Sequence, residues 1–521
     1  MSMHVRLAAA EDVKPLLDLI RECLGAEHPA KEVYDPGWVS REMCREGGHE
    51  TWVVDAGPRL DACISFLRPD VAVNPIANLG RNLFRPGTFE SGNAQALLEQ
   101  VRILCAERSE LGILRVPASE TQQQRLLEGS GCPAVGYQPM KHTRPTREGT
   151  LFYMIPEHTV LQRRLPVGEL PPQTHALACE VLSSLGLPDP GPVREGITGL
   201  PAHPPVHCFD STLEAFEEWR TQHPPPAADL RLSSSFHKGF GPMRVTSRAS
   251  VHVLMAGSGN AIVGGVTFLH DELDQCVRIL DVHTAPGFSV RPVIQHVLRA
   301  AQQGLNASYV EIDVLAGSGR MLRCLEQLGF APVSYLPGFY TEGDRQLDVV
   351  KFAKTNIPYV REIVPFEPAA RRMVDIVEPH LADPPLGHAM ISLLRDQPLF
   401  AGLGDGDLRK IAMLGRQQMY RAGQKVFGKQ DQLADLHLVI RGQMDGYLNE
   451  SESPVEKWTN GQLFGEEALL KTERRPLSAY AATTTIAVMF SVGALQDLMF
   501  QEPLLGMTLM RNLAIELSAA A

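Results

Sequence analysis

The sequence lacks the short motifs that carry most metal and nucleophilic chemistry. Its nine cysteines are scattered and never form a C-x-x-C pair. No H-E-x-x-H, Walker loop or G-x-S-x-G elbow occurs. An odd, dispersed set of thiols suits a reducing cytoplasm rather than a disulfide framework. His203 and His207-Cys208 have ligand-like spacing, but no second cluster stands near them in their proline-rich stretch, so no metal is expected. A surplus of positive charge is missing too: 49 Lys and Arg stand against 60 Asp and Glu, a net charge of −11. That balance disfavours a broad nucleic-acid or anionic-membrane surface. Long apolar runs are also absent. The longest uncharged stretch, Pro476 to Gln496, is broken by Thr483, Thr484 and Thr485 and reads as paired strands, not a membrane span. Arg6, Glu11, Asp12 and Lys14 among the first apolar residues argue against a signal peptide.

What is present is a long chain of ordinary globular composition. With 521 residues, at about 150 per domain, three or four domains are expected. A hydrophobic fraction of 44% excludes a disordered chain. Proline marks the joints. Residues 156–232 hold Pro171-Pro172, Pro204-Pro205 and Pro224-Pro225-Pro226 around one helix near Ala176–Leu185. Residues 355–388 hold six further prolines around a short helix at Ala369–Val377. Three blocks remain, 1–155, 233–354 and 389–521.

Blocks one and two share an order of elements. In block one, helical spacing of Ala94, Leu97, Leu98 and Val101 precedes a strand at Gly112–Val116. An S-x-x-Q capping box at Ser119 and Gln122 opens a second helix, and Gly131 closes it. In block two, Val293, Ile294, Val297, Leu298 and Ala301 precede a strand at Tyr309–Val314. A helix with Leu322, Leu325 and Leu328 follows and stops at Gly329-Phe330. The order helix–strand–helix–Gly–strand therefore occurs twice. It resembles the second half of a GNAT-superfamily acyltransferase domain, and Leu325-Glu326-Gln327-Leu328-Gly329-Phe330 is similar to that family's helix end.

The resemblance implies an acyl-CoA donor, acetyl-CoA or another, whose pyrophosphate meets a small-residue loop at a helix N-terminus. Gly92, Asn93 and Ala94 retain part of that pattern, although Glu90 brings an unfavourable charge beside them. A plain capped helix entry fits the same residues. Block two has Pro286-Gly287-Phe288 and Arg291, but Ile294 and His296 stand at the small positions. The family's usual acid, a tyrosine, is replaced by Leu127 and Leu325. Substitute carboxylates are Asp281 and Glu311. Glu311 and Asp313 alternate with apolar positions, so a solvated strand face is the simpler expectation for them. Gly257-Ser258-Gly259-Asn260-Ala261 joins two alternating segments and reads as a hairpin turn, not a dinucleotide loop.

Block three consists of short strands separated by glycine turns, which predicts a small antiparallel roll. It contains Phe464-Gly465-Glu466-Glu467-Ala468-Leu469-Leu470, with Arg475 further on. This resembles the cyclic nucleotide-binding domains of the cAMP receptor protein type. The resemblance implies cAMP or cGMP as effector: Glu466 accepts from the ribose hydroxyl, Gly465 and the amides opening a short helix at Glu467–Leu470 meet the phosphate, and Arg475 pairs with it. Departures are Pro476, which has no N–H, and the bulky Leu477, where the family has small residues, and Glu467 places a second carboxylate beside the anion. One terminal helix with Leu505, Leu509, Leu513 and Leu517 ends the chain, leaving no room for a helix-turn-helix, so no DNA partner is expected.

The fold class expected is α+β, with two GNAT-like mixed-sheet domains and a C-terminal β-roll with flanking helices. Three functions stay open. The first is a cytoplasmic acyl-CoA-dependent N-acyltransferase controlled by cyclic nucleotide, acting on a protein lysine. The second is a noncatalytic sensor or scaffold, and the third an acetyltransferase acting on a small amine. No membrane partner is expected.

Overall fold

The computed structural model describes every residue except 1–3, 26–27, 45–48, 58, 68–74, 145, 195–196, 198, 201–205, 224–248, 358–361, 363, 383–389, 392, 432–434, 450–452, 470–474 and 521. His203 and Pro224-Pro225-Pro226 lie outside the described residues. The chain forms two compact units, Met1–Ala382 and Asp383–Ala521.

Among the described residues, the first unit is built on one 14-stranded sheet. Its N-terminal half supplies β1 (His4–Leu7), β2 (Glu50–Asp55), β3 (Leu60–Phe66), β4 (Ile76–Phe84), β5 (Leu111–Pro117), β6 (Ala134–Arg144) and β7 (Thr146–Ile155). These lie in the order 1-2-3-4-5-7-6. The second half supplies β8 (His207–Asp210), β9 (Ala249–Ser258), β10 (Ala261–Asp271), β11 (Cys276–Thr284), β12 (Tyr309–Leu315), β13 (Ala331–Glu342) and β14 (Arg345–Thr355). Their order is 8-9-10-11-12-14-13, the same plan over again. The halves meet where β6 pairs antiparallel with β13 at Gly136 and Ser334. A Cβ on Gly136 would come within 2.3 Å of the Ser334 Cβ, so glycine is what lets these strands close.

Each half has one parallel pair, β4 with β5 and β11 with β12, connected through a helix. These helices, Asn93–Glu107 and Arg291–Gln303, bury Leu97, Leu98 and Val101 in the first and Val293, Ile294 and Val297 in the second. The apolar stripe read from sequence is thus the face against the sheet. The capping box of Ser119 and Gln122 does not form. The helix starts at Thr121, and Ser119 is drawn instead to the Glu148 carboxylate. Gly259, with φ +58°, turns the β9–β10 hairpin as expected.

The proline-rich stretches contribute to the core. Helix Pro172–Ser184 buries Leu177, Ala178, Val181 and Leu182, and helix Pro368–Ala382 packs on it and on β6 and β13. Together they cover the seam between the halves. Proline stands at or next to the first residue of each helix, where a missing N–H costs nothing.

The second unit is a roll of two four-stranded antiparallel sheets. One contains Gly415–Tyr420, Thr485–Ser491, Asp435–Arg441 and Leu463–Phe464; the other contains Lys425–Phe427, Ser478–Ala481, Gln443–Tyr447 and Glu456–Thr459. The uncharged stretch after Pro476 does form two strands, but they belong to different sheets. Helices Asp405–Leu414, Val492–Gln501 and Pro503–Ala520 flank the roll, and Leu505, Leu509 and Leu513 of the last are buried. No helix among the described residues is long and apolar enough to cross a membrane.

Candidate functional site

In the roll, strand Leu463–Phe464 pairs with His437 and Leu438 and ends at Gly465, whose φ is +88°. One 3-10 turn follows, Glu466–Leu469, closed by the Ala468 amide donating to the Gly465 carbonyl at 3.2 Å. Arg475 returns beside this turn. Its backbone N–H donates to the Asp431 carbonyl at 2.9 Å, and its own carbonyl accepts from Gln430 at 3.1 Å. The guanidinium is 2% exposed and lies 4.0 Å over the Phe427 ring, with Nη2 donating to the Asp435 carbonyl at 2.6 Å. A Cβ on Gly465 would lie 2.7 Å from Arg475 Nη1. The glycine thus admits the guanidinium to the turn that would face an anion.

Electrostatics single out the same cation. His437 is buried, stacks on Phe464 at 5.0 Å, and has its pKa pushed down to about 3 by burial and by Arg475. It is therefore neutral at physiological pH, whereas the buried Arg475 beside it carries a positive charge. Trp458 stacks on the other side of that layer, 4.3 Å from Phe464. Glu466 is half-buried on the 3-10 turn, and the Glu467 side chain lies outside the described residues. Pro476 is exposed and Leu477 buried. Phe427, His437 and the Asp435 carbonyl were not singled out from sequence. A histidine on the inward phase of an otherwise apolar strand was the one signal for His437.

The first unit holds a second candidate. Strands β4 and β5 pair only from Ile76 with Leu111 to Leu79 with Leu114, after which they part. Arg81, just beyond the last pair, takes a φ of +51°, unusual for a non-glycine residue. A cleft of about 260 Å³ lies here, with Asn82, Phe89, Glu120 and Gln123 among its walls. Phe89 in its wall stands four residues before helix Asn93–Glu107. Gly92 is the cap residue with φ +79°, and a Cβ there would meet nothing within 4 Å. This glycine serves backbone conformation, not close approach. The amides of Gly92, Asn93 and Ala94 already donate to Phe89 O, Ser91 Oγ and Thr88 O. Asn93 also donates from its side chain to Asp61 at 2.9 Å, and Ala94 is fully buried. Leu127 and Leu325 are core residues.

The two carboxylates of the second half differ in setting. Glu311 is not on a solvated face: it is 1% exposed, accepts from Gln138 Nε2 at 2.7 Å, lies 3.1 Å from Lys141 and is ion-paired with Arg278. Burial alone would raise its pKa, but Arg278 and Lys141 hold it well below the ordinary carboxylate value. Gln138 and Lys141 come from β6, so this carboxylate ties one half of the sheet to the other. Asp313 is likewise buried, 2.6 Å from Lys351. Asp281 faces a cavity instead, paired with Arg220 at 2.7 Å, and burial raises its pKa. Among the described residues no group of three or more His, Cys, Asp or Glu could hold a metal ion.

A roll of two sheets with an arginine lodged against a left-handed glycine after Phe464 defines a class. Residues 417–502 match the family model of the cyclic nucleotide-binding domain. Over 106 residues the chain is 30% identical to the cAMP-dependent protein kinase regulatory subunit of Colletotrichum orbiculare, covering 20% of this chain and 27% of that relative. Similar solved structures include the Thermus thermophilus catabolite activator protein, 26% identical over 24% of this chain and 60% of that one, TM-score 0.22. Another is the N-terminal domain of a transcriptional regulator from Streptomyces coelicolor, 23% identical over 25% of this chain and 94% of that one, TM-score 0.24. The C-terminal part of the chain is a cyclic nucleotide-binding domain on a mixed α/β protein.

Proposed function

We propose that cyclic nucleotide, cAMP or cGMP, binds residues 389–521 and controls an acyl-CoA-dependent N-acyltransferase made by residues 1–155 and 233–354, in the cytoplasm. The acceptor is an amine, of a protein lysine or a small molecule. The observation that carries the nucleotide part is the Arg475 guanidinium, 2% exposed and seated against Gly465. A buried cation beside a cradle that a Cβ would fill suits one phosphate charge. Support for the acyltransferase part is the GNAT resemblance and the parallel pair that parts midway in each half. The first half is the better seat for the donor, because only its helix entry keeps the small residues Gly92 and Ala94 in sequence. The rival, a noncatalytic sensor, is favoured by one fact: the helix-entry amides from Gly92 to Ala94 are donating within the chain. Calorimetry of the full chain with cAMP, cGMP and acetyl-CoA separates the readings. Binding of both ligand types, with Arg475→Ala losing the nucleotide alone, is expected. Nucleotide binding without any acyl-CoA binding supports the sensor, and no nucleotide binding by wild type refutes the regulatory part.

A further inference from the structure

A pocket of about 650 Å³ opens on the second half, between helix Leu213–Gln222 and strands β9 to β11. Its floor is a row across three strands, since Val253 pairs with Thr267 and Thr267 with Asp281. Thr267 is 5% exposed, and among the described residues its hydroxyl has no hydrogen-bond partner. A hydroxyl that lines a pocket and is bonded to nothing else in the described chain is free to bond to a group that enters. Asp281 beside it is held by Arg220 at 2.7 Å, and Arg220 is shared with Glu217 at 2.5 Å. Asp210 lies at the exposed rim. Among the described residues, three carboxylates against one guanidinium leave the lining negative, while Leu213, Val251 and Leu280 give it apolar walls.

The geometry points to an organic amine as the ligand of this pocket, with its ammonium on the floor of Thr267 and Asp281 and its hydrocarbon body along the apolar wall. An ammonium has three donors and no acceptor, which matches a carboxylate and a hydroxyl oxygen. The same chemistry is offered by a free alkylamine and by a lysine side chain. The inference does not depend on acyl transfer, because binding is measured with no acyl donor present. Failure here leaves the acyltransferase reading standing, and failure of that reading leaves this one standing.

The test is calorimetry on the full chain with n-butylamine, with N-acetyl-lysine amide, and with butyrate as the charge-reversed control. Binding of either amine without butyrate is expected, and the tighter of the two identifies the source. Asp281→Asn should weaken the amine by roughly tenfold or more, the equivalent of about 1.4 kcal/mol, and Thr267→Val should weaken it as well. Arg220→Met removes the resident cation and should tighten binding. If Asp281→Asn does not fold, the sign of the Arg220→Met effect decides. Failure of wild type to bind either amine, equal binding of butyrate, or weaker binding by Arg220→Met overturns the assignment.

Discussion

Gly465 has a φ of +88°, and a Cβ there would lie 2.7 Å from Arg475 Nη1 and 3.0 Å from the Asp435 carbonyl. Alanine at this position meets two costs. The left-handed backbone alone is unfavourable by about 1–2 kcal/mol for a residue with a Cβ, and the guanidinium must move off its seat. Gly465→Ala should therefore lower the melting temperature of the roll and abolish the thermal shift produced by cAMP in a scan of the full chain. An unchanged shift would separate the glycine from the phosphate site. Pro476 is the opposite case. It is exposed and cannot donate, so Pro476→Ser restores an amide beside Arg475 without disturbing the core. A hydrogen bond to a charged group contributes about 1.5–3 kcal/mol, and cAMP should bind that variant more tightly in an isothermal titration. Equal affinity would mean that the amide at 476 does not reach the phosphate.

Among the elements, strand β12 has the most to explain. Its alternation marked Val310, Ile312 and Val314 as the buried face and left Glu311 and Asp313 for solvent, yet all five are buried. The missing information was the partner: Lys141 and Gln138 stand on β6, more than 160 residues earlier, and no local period reveals them. Removing one member of such a buried cluster costs about 3–5 kcal/mol, because its cations lose their counter-charge. Glu311→Gln should destabilise the first unit by that order in urea unfolding. The pH dependence has a definite sign. The folded carboxyl is depressed below its ordinary 4.5, so its stabilisation is complete above that value and is lost as pH falls toward the folded value. Wild type should lose stability on acidification from pH 5, and Glu311→Gln should lose less of it over the same range.

What was legible in the sequence follows the same division. Helices Asn93–Glu107 and Arg291–Gln303 were visible because one apolar stripe meets one sheet face. The roll was visible because glycine turns and the Phe464-Gly465-Glu466 run are local. Phe427 and the Asp435 carbonyl, which hold Arg475 in place, were not visible, because only the fold brings them 40 residues or more to their partner. Proline in 156–232 and 355–388 suggested joints, whereas the helices beginning at Pro172 and Pro368 pack over the central seam.

For the whole molecule, the proposed regulation of acyl transfer is a matter of shared free energy. A nucleotide can change acyl transfer only by its differential affinity for two states of the chain. The acyl donor and the nucleotide must then alter each other's affinity by one and the same factor. Titrating cAMP with and without saturating acetyl-CoA, and the reverse, should give equal ratios different from one. Ratios of one in both directions would mean two activities in one chain with no coupling.

The plan of the large sheet also decides which strands are left with open backbone. Among the described residues its outermost strands are β1 and β8, each only four residues long. The strands of eleven and twelve residues that would have ended each half, β6 and β13, are turned toward one another in the middle. Long open edges are templates for adding foreign strands, and short ones are poor templates. Joining the halves tail to tail, with β6 and β13 paired at Gly136 and Ser334, therefore turns inward the border that each half would carry alone. A half cut out of this chain would expose such a border along its full length, and self-association into fibres or precipitate is its natural fate.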